Sequence, residues 1–267
     1  MPGAGRHEQQ ARGQDIGWKM IATIDGDGRH FNDFGWLKTY WLFSFADYYT
    51  PDNIQFGPLR VFNDDVVVPG TGFPTHPHEE MEIITIVLDG EITHKDSMNN
   101  TSVIKAGDVQ RMSAGTGLSH SEYNSGKAPA HFYQLWIYPD KHGLRPSYDQ
   151  RSFKKEEWRN QLLPLASGQR HKNAVHFHSD ATIYRGELDP GRAISYETTE
   201  DRRIFLYLTS GKLVVNRTRL LPKYQARIDL EKTLVLQAEE KSDFILIDLP
   251  TCRGWGYDKK TLQGGRF

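Results

Sequence analysis

Two glycine-rich stretches constrain this chain more than anything else in it: Gly70-Thr-Gly-Phe-Pro-Thr-His76-Pro-His78-Glu79-Glu80-Met81-Glu82 and Gly115-Thr-Gly-Leu-Ser-His120-Ser-Glu122. Each carries two metal-ligating residue types one residue apart, and each adjoins a run of β-forming residues. On a β-strand, residues i and i+2 point to the same face. His76 with His78, and His120 with Glu122, are therefore same-side pairs. Two such strands, laid side by side with those faces inward, bring three imidazoles and one carboxylate to a single point, which is a metal site. A lone His-X-His falls at this spacing by chance, whereas two pairs, each beside a glycine turn, point to one centre. Glu82 is a further carboxylate: a ligand in place of Glu122, or a group that orients a histidine.

The remaining chain has a β grammar. Apolar and β-branched runs at 21–24, 36–45, 59–63, 65–68, 81–88, 91–95, 101–105, 109–113 and 131–138 are separated by Gly and Asp turns. Short strands at such spacing predict an antiparallel sandwich or barrel. The aromatic run 36–45 reads as a core strand, Asp89-Gly90 as a hairpin turn, and 131–138, with its alternation, as a half-exposed strand. Residues 139–153 have the composition of a linker, and 154–163 predicts one short helix stopped by Pro164. Strand-like runs then resume at 174–178, 181–188, 203–208, 212–216, 233–236 and 243–248. Tyr207-Leu-Thr-Ser-Gly211 echoes Val87-Leu-Asp-Gly90, a weak internal duplication. The expected division is an N-terminal extension at 1–18 without a packed structure, a metal-binding domain at 19–150, and a second domain at 151–267 without metal. Met20 is a plausible start of the folded part. A second metal site would need a histidine as far behind His176-Phe-His178 as His120 lies behind His76, and no histidine follows His178.

Charge excludes some partners. Among 267 residues, 33 Lys and Arg against 34 Asp and Glu leave a formal net charge of −1, so there is no clustered basic excess for nucleic acid or anionic membrane. Cys252 is the sole cysteine; no intrachain disulfide can form, and a small packed side chain is its expected role. No apolar run reaches the ~20 residues that span a bilayer, and no signal-peptide core opens the chain. The expectation is a soluble, cytoplasmic, monomeric protein.

The spacing Gly70-x5-His76-x-His78-x3-Glu82 resembles the first cupin motif, and Gly107-x5-Ser113-x-Gly115-x4-His120-x-Glu122-x-Asn124 resembles the second. Ser113 stands where many cupins have proline, and His120 lies two residues further from the glycine than usual. Within cupins, Thr75-His-Pro-His78 with Gly107-Asp-Val-Gln-Arg-Met-Ser-Ala-Gly-Thr-Gly-Leu-Ser-His-Ser-Glu122 is similar to the pirin family and its bacterial quercetin 2,3-dioxygenase-like members, as are Asn63-Asp-Asp65 and Asp96-Ser-Met98. The resemblance implies an all-β bicupin, two jelly-roll barrels facing each other, with metal in the first only. It places the ligands on His76, His78, His120 and Glu122, and not on Glu82. It implies one divalent ion, iron(II) foremost, with manganese, nickel, cobalt or zinc as alternatives. The implied activity is the opening of a flavonol ring by dioxygen with release of carbon monoxide, Glu122 being the candidate base. Phe73, Met81, Met112 and Phe132 are candidate pocket walls, though each suits an ordinary core as well. Some pirins instead resemble redox-responsive regulatory proteins; a flavonoid-sized apolar cavity over the metal favours the enzyme, and a site sealed by the second barrel or by 251–267 favours regulation.

Overall fold

The computed structural model describes residues 21–169 and 171–251; the extension at 1–18, Met20, Cys252 and the segment beyond Thr251 lie outside it. Four sheets, antiparallel except where Val175–His176 runs parallel to Leu162–Ser167, form two barrels, each made of a seven-stranded and a four-stranded sheet. In the first barrel the large sheet runs Ser147–Ser152, Asp108–Ser113, Glu82–Asp89, Ala130–Ile137, Leu59–Val67, Leu37–Trp41, His30–Asp33. The small sheet facing it runs Gly72–His78, Leu118–Tyr123, Glu91–Asp96, Thr101–Lys105. The second barrel repeats the plan, with Arg202–Ser210, Ser242–Pro250 and Thr182–Leu188 central in its large sheet and Thr233–Ala238 central in its small one.

Period-two alternation decides what each strand buries. In the first barrel Phe62, Ile84, Ile86, Tyr133 and Leu135 point away from the interior and pack against Phe205, Tyr207, Ile245 and Ile247 of the second. The Phe62 ring lies 5.7 Å from Phe205 and 5.1 Å from Tyr207. The alternate residues point inward, and there the two barrels differ. The second is filled by Leu206, Leu208, Leu234, Leu236, Phe244, Leu246 and their neighbours. In the first, Gln110, Thr85, Gln134 and Asn63 stand side by side in register across four strands. Apolar clusters flank this polar row, one around Trp41, Met81, Met112 and Trp136 and the other around Leu37, Val87 and Phe132.

Several expectations change. Asp89-Gly90 is no hairpin: Glu82–Asp89 pairs with Asp108–Ser113 and Ala130–Ile137, whereas Glu91–Asp96 pairs within the small sheet. Gly90 (φ +72°) is the corner where the chain changes sheets, and Gly211 (φ +86°) is its counterpart in the second barrel, so the apparent duplication reflects shared architecture. The runs 59–63 and 65–68 form one strand, Leu59–Val67. The strand Ala130–Ile137 is buried on both faces, with only His131 and no other residue partly exposed, because the second barrel covers its outer side. Within the supposed linker, Ser147–Ser152 adds to the large sheet beside Asp108–Ser113. The expected helix is a single 3-10 turn, Lys155–Trp158. Leu162 and Leu163 face opposite clusters, a period-two demand that draws Leu162–Ser167 into a strand with Pro164 at its irregularity. Finally, Ile21–Ile24 pairs with Gln225–Asp229 in the second barrel's large sheet, so the first described strand belongs to the second barrel.

Candidate metal centre

The strand Gly72–His78 lies antiparallel to Leu118–Tyr123 with His76 opposite His120. Same-face spacing brings His78 in beside them, and one nitrogen from each of the three rings falls within 4.8 Å of the others. Ring centroids are 4.5 to 4.9 Å apart. His78 also packs edge-on against Trp136. Burial holds the His78 imidazolium down to about 3 and that of His120 to about 2, the neighbouring histidines adding to both shifts. Both rings are neutral at physiological pH, the state in which imidazole ligates.

The hydrogen bonds fix which nitrogens are bare. His76 donates from Nδ1 to the Pro74 carbonyl at 2.7 Å, which leaves the Nε2 lone pair inward. His94 Nε2 lies 3.1 Å from Asp96 Oδ2, so it donates there, and its Nδ1 accepts from His120 Nδ1 at 3.4 Å. His120 Nε2 is then bare as well. His120 Nε2 and His76 Nε2 lie 3.1 Å apart, a spacing at which one cation can take both lone pairs. Cis ligands each ~2.1 Å from an ion stand ~3.0 Å apart, so the donor set fits a divalent metal.

Glu122 follows His120 across a β-bulge. Gln134 donates to its Oε2 at 2.7 Å, and the Thr85 hydroxyl lies 3.5 Å from Oε1. Its charge reaches His78, and it groups with His94 and His120 rather than with all three clustered histidines. Glu82 belongs elsewhere. It begins a strand of the opposite sheet on the outward face, where its carboxylate accepts from Ser113 at 2.8 Å and lies 3.3 Å from His178 Nδ1 of the second barrel. His176 and His178 thus sit against the first barrel, and Arg111 donates to the His176 carbonyl.

His94 and Asp96 were not among the candidates from sequence. They are a third i, i+2 pair on one strand, the same signal without a glycine turn beside it. Asp96 is fixed by backbone donors from Met98 and Asn100, and Tyr148, from the strand hidden in the supposed linker, packs on His94 at 4.9 Å.

Beside the centre opens a cavity of about 630 Å³, walled by Phe34, Trp36, Trp41, Phe45 and Phe73 and reached by Gln134, the donor to Glu122. Of the four candidate walls only Phe73 lines it; Met81, Met112 and Phe132 pack in the flanking cores. The aromatic run read as plain core supplies Trp36, Trp41 and Phe45 to the wall.

The Pirin family model matches residues 27–137, and one described as the quercetinase C-terminal cupin domain matches 164–249. The chain belongs to the pirin family. It is 37% identical over 232 residues to the quercetin 2,3-dioxygenase of Escherichia coli K12, covering 86% of this chain and 99% of that protein. It is 41% identical over 217 residues to a pirin-like protein of Caulobacter vibrioides, covering 81% and 94%. The crystal structure of YhhW from Escherichia coli superposes with a TM-score of 0.83 at 36% identity, covering 88% of this chain and all of that one. A nickel(II) complex of that bacterial pirin aligns with the same score at 35% identity, covering 87% and 100%. Pirin membership and the bicupin architecture agree with the motifs. No helix among the described residues is long and apolar enough to cross a membrane.

Proposed function

We propose that this pirin is a dioxygenase that opens the ring of a flavonol such as quercetin with dioxygen and releases carbon monoxide. The observation that carries the reading is the aromatic cavity of about 630 Å³ beside the three-histidine cluster, within the size range of small-molecule sites. An apolar cavity of that size favours the enzyme over a non-enzymatic, redox-responsive protein. His76, His78 and His120 would hold the ion, with Glu122 as the fourth ligand. A divalent transition metal there, iron(II) foremost, would supply Lewis acidity and redox chemistry toward dioxygen. The protein does the rest. Trp36, Trp41 and Phe45 take the flat rings and exclude water from them. Gln134 and Thr85 aim the Glu122 carboxylate, which takes the proton of the flavonol 3-hydroxyl as the substrate binds.

The test is anaerobic loading with iron(II), addition of quercetin, then admission of oxygen, following flavonol absorbance and carbon monoxide together. Turnover in the wild type that vanishes in His76→Ala and in Glu122→Gln is expected. Stoichiometric metal with no turnover would shift the role to metal-dependent binding.

A further inference from the structure

One wall of the cavity carries polar groups that the candidate metal ligands do not engage. Thr39 and Asp65 face each other in register on adjacent strands, and Asn63 lies on the same inward face as Asp65. All three line the cavity and are more than nine-tenths buried. Thr39 Oγ1, Asn63 Oδ1 and Asp65 Oδ1 are buried without a hydrogen-bond partner. Native proteins satisfy nearly all such atoms, and each orphan costs on the order of a tenfold change in equilibrium. Three orphans on one patch of a ligand-sized cavity indicate groups kept for a ligand.

The chemistry of the patch selects that ligand. A carboxamide oxygen accepts, a hydroxyl does both, and a carboxyl accepts or, when protonated, donates. Burial pushes the Asp65 carboxyl up to about 8, the charges of Asp64 and Glu122 adding to the rise and the adjacent Thr39 opposing it. A net-neutral, acceptor-rich floor suits O–H donors, and rejects anions and bare aromatic edges. The walls around it are aromatic.

We propose that Thr39, Asn63 and Asp65 form a hydroxyl-reading patch that selects flavonols with free phenolic hydroxyls besides the 3-hydroxyl. This rests on the dioxygenase reading for the orientation of the substrate, its 3-hydroxyl toward Glu122 and its other hydroxyls toward the floor. Selectivity then comes from leaving the three oxygens unmatched when a ligand lacks the hydroxyls.

The experiment compares quercetin with 3-hydroxyflavone, which keeps the metal-binding end and lacks every other hydroxyl. Binding to the nickel-loaded protein is followed anaerobically by quenching of tryptophan emission, since Trp36 and Trp41 line the cavity. Quercetin is expected to bind at least about tenfold more tightly. Thr39→Val and Asn63→Leu should each shrink that ratio several-fold. Thr39→Val keeps the side-chain shape and removes a hydroxyl whose polar neighbour is Asp65 rather than a candidate metal ligand, so it should leave nickel stoichiometry intact, which separates a recognition role from a loss of the metal centre. Equal affinities in the wild type, or a ratio untouched by both variants, would overturn the floor. The two readings fail differently. Discrimination without carbon monoxide release by the iron-loaded protein keeps the floor and removes the reaction, whereas equal turnover and binding of both flavonols keeps the reaction and removes the floor.

Discussion

Asp65 shows how a single side chain trades stability for a site. Its folded pKa of about 8 lies above the ordinary 3.8, so the native state holds a proton that the unfolded chain releases. The sign follows by linkage. The Asp65 contribution is intact below pH 4 and is lost progressively as pH rises through 8. Asp65→Asn removes that liability, and denaturant unfolding should show the variant gaining on the wild type as pH goes from 5 to 8, by on the order of a few kcal/mol; a variant that instead loses ground with pH would refute the assignment. His94 makes the complementary case. By accepting from His120 Nδ1 while donating to Asp96, it sets the tautomer that bares Nε2. His94→Gln should weaken nickel binding about 10- to 100-fold at unchanged stoichiometry, as outer partners of metal ligands do; a competitive chelator titration reads it, and unchanged affinity would reduce His94 to packing against Tyr148. At this scale much was legible. The two candidate pairs are visible because i, i+2 spacing is local, and the resemblance to pirins sets Glu82 apart from them. The direction of Glu82, the His94–Asp96 pair and the orphan oxygens of the floor are not visible, because each depends on which strand lies opposite.

Elements tell the same story through their corners. A glycine after an aspartate looks alike in a hairpin and in a jelly-roll corner, and only long-range pairing tells the two apart. At Gly90 a Cβ would come within 2.6 Å of the Pro129 carbonyl oxygen, and at Gly211 within 2.1 Å of that of Lys241. Both residues also have positive φ. Each Gly→Ala change combines left-handed strain with a backbone clash and should cost at least ~2 kcal/mol in denaturant unfolding; a cost near zero would mean that the corners can move. Strand positions were readable where β-branched runs are long, as in Glu82–Asp89 and Ser242–Pro250. The short or polar strands Ser147–Ser152, Ala193–Glu197 and Gln225–Asp229 were missed, since neighbours rather than composition hold them in place.

At the scale of the molecule the decisive feature is the face shared by the barrels. Phe62, Ile84, Ile86, Tyr133 and Leu135 of the first barrel are almost wholly buried against the second, and each such side chain contributes ~1.5–3 kcal/mol through burial. Their sum rivals the ~5–15 kcal/mol of net stability that a domain possesses. Polar ties cross the same face. Tyr133 donates to Thr209 Oγ1 at 2.9 Å, while Asp64 accepts from Tyr207 at 2.9 Å and from Lys223 at 3.2 Å. Burial pushes the Asp64 carboxyl up, yet His131, Lys223 and Tyr207 together hold it at about 2. The second barrel therefore serves the metal centre from outside. It covers the outer face of the sheet whose inner face carries Thr85 and Gln134, the two groups that aim Glu122. Residues 27–153 expressed alone should consequently lose the rigid interior along with the partner: they should aggregate, or stay soluble with bound hydrophobic dye and a flat near-ultraviolet circular dichroism spectrum, and bind nickel weakly or not at all. A soluble fragment with the aromatic dichroism and nickel affinity of the full chain would show that the first barrel organises its site unaided, and that the buried face serves assembly alone.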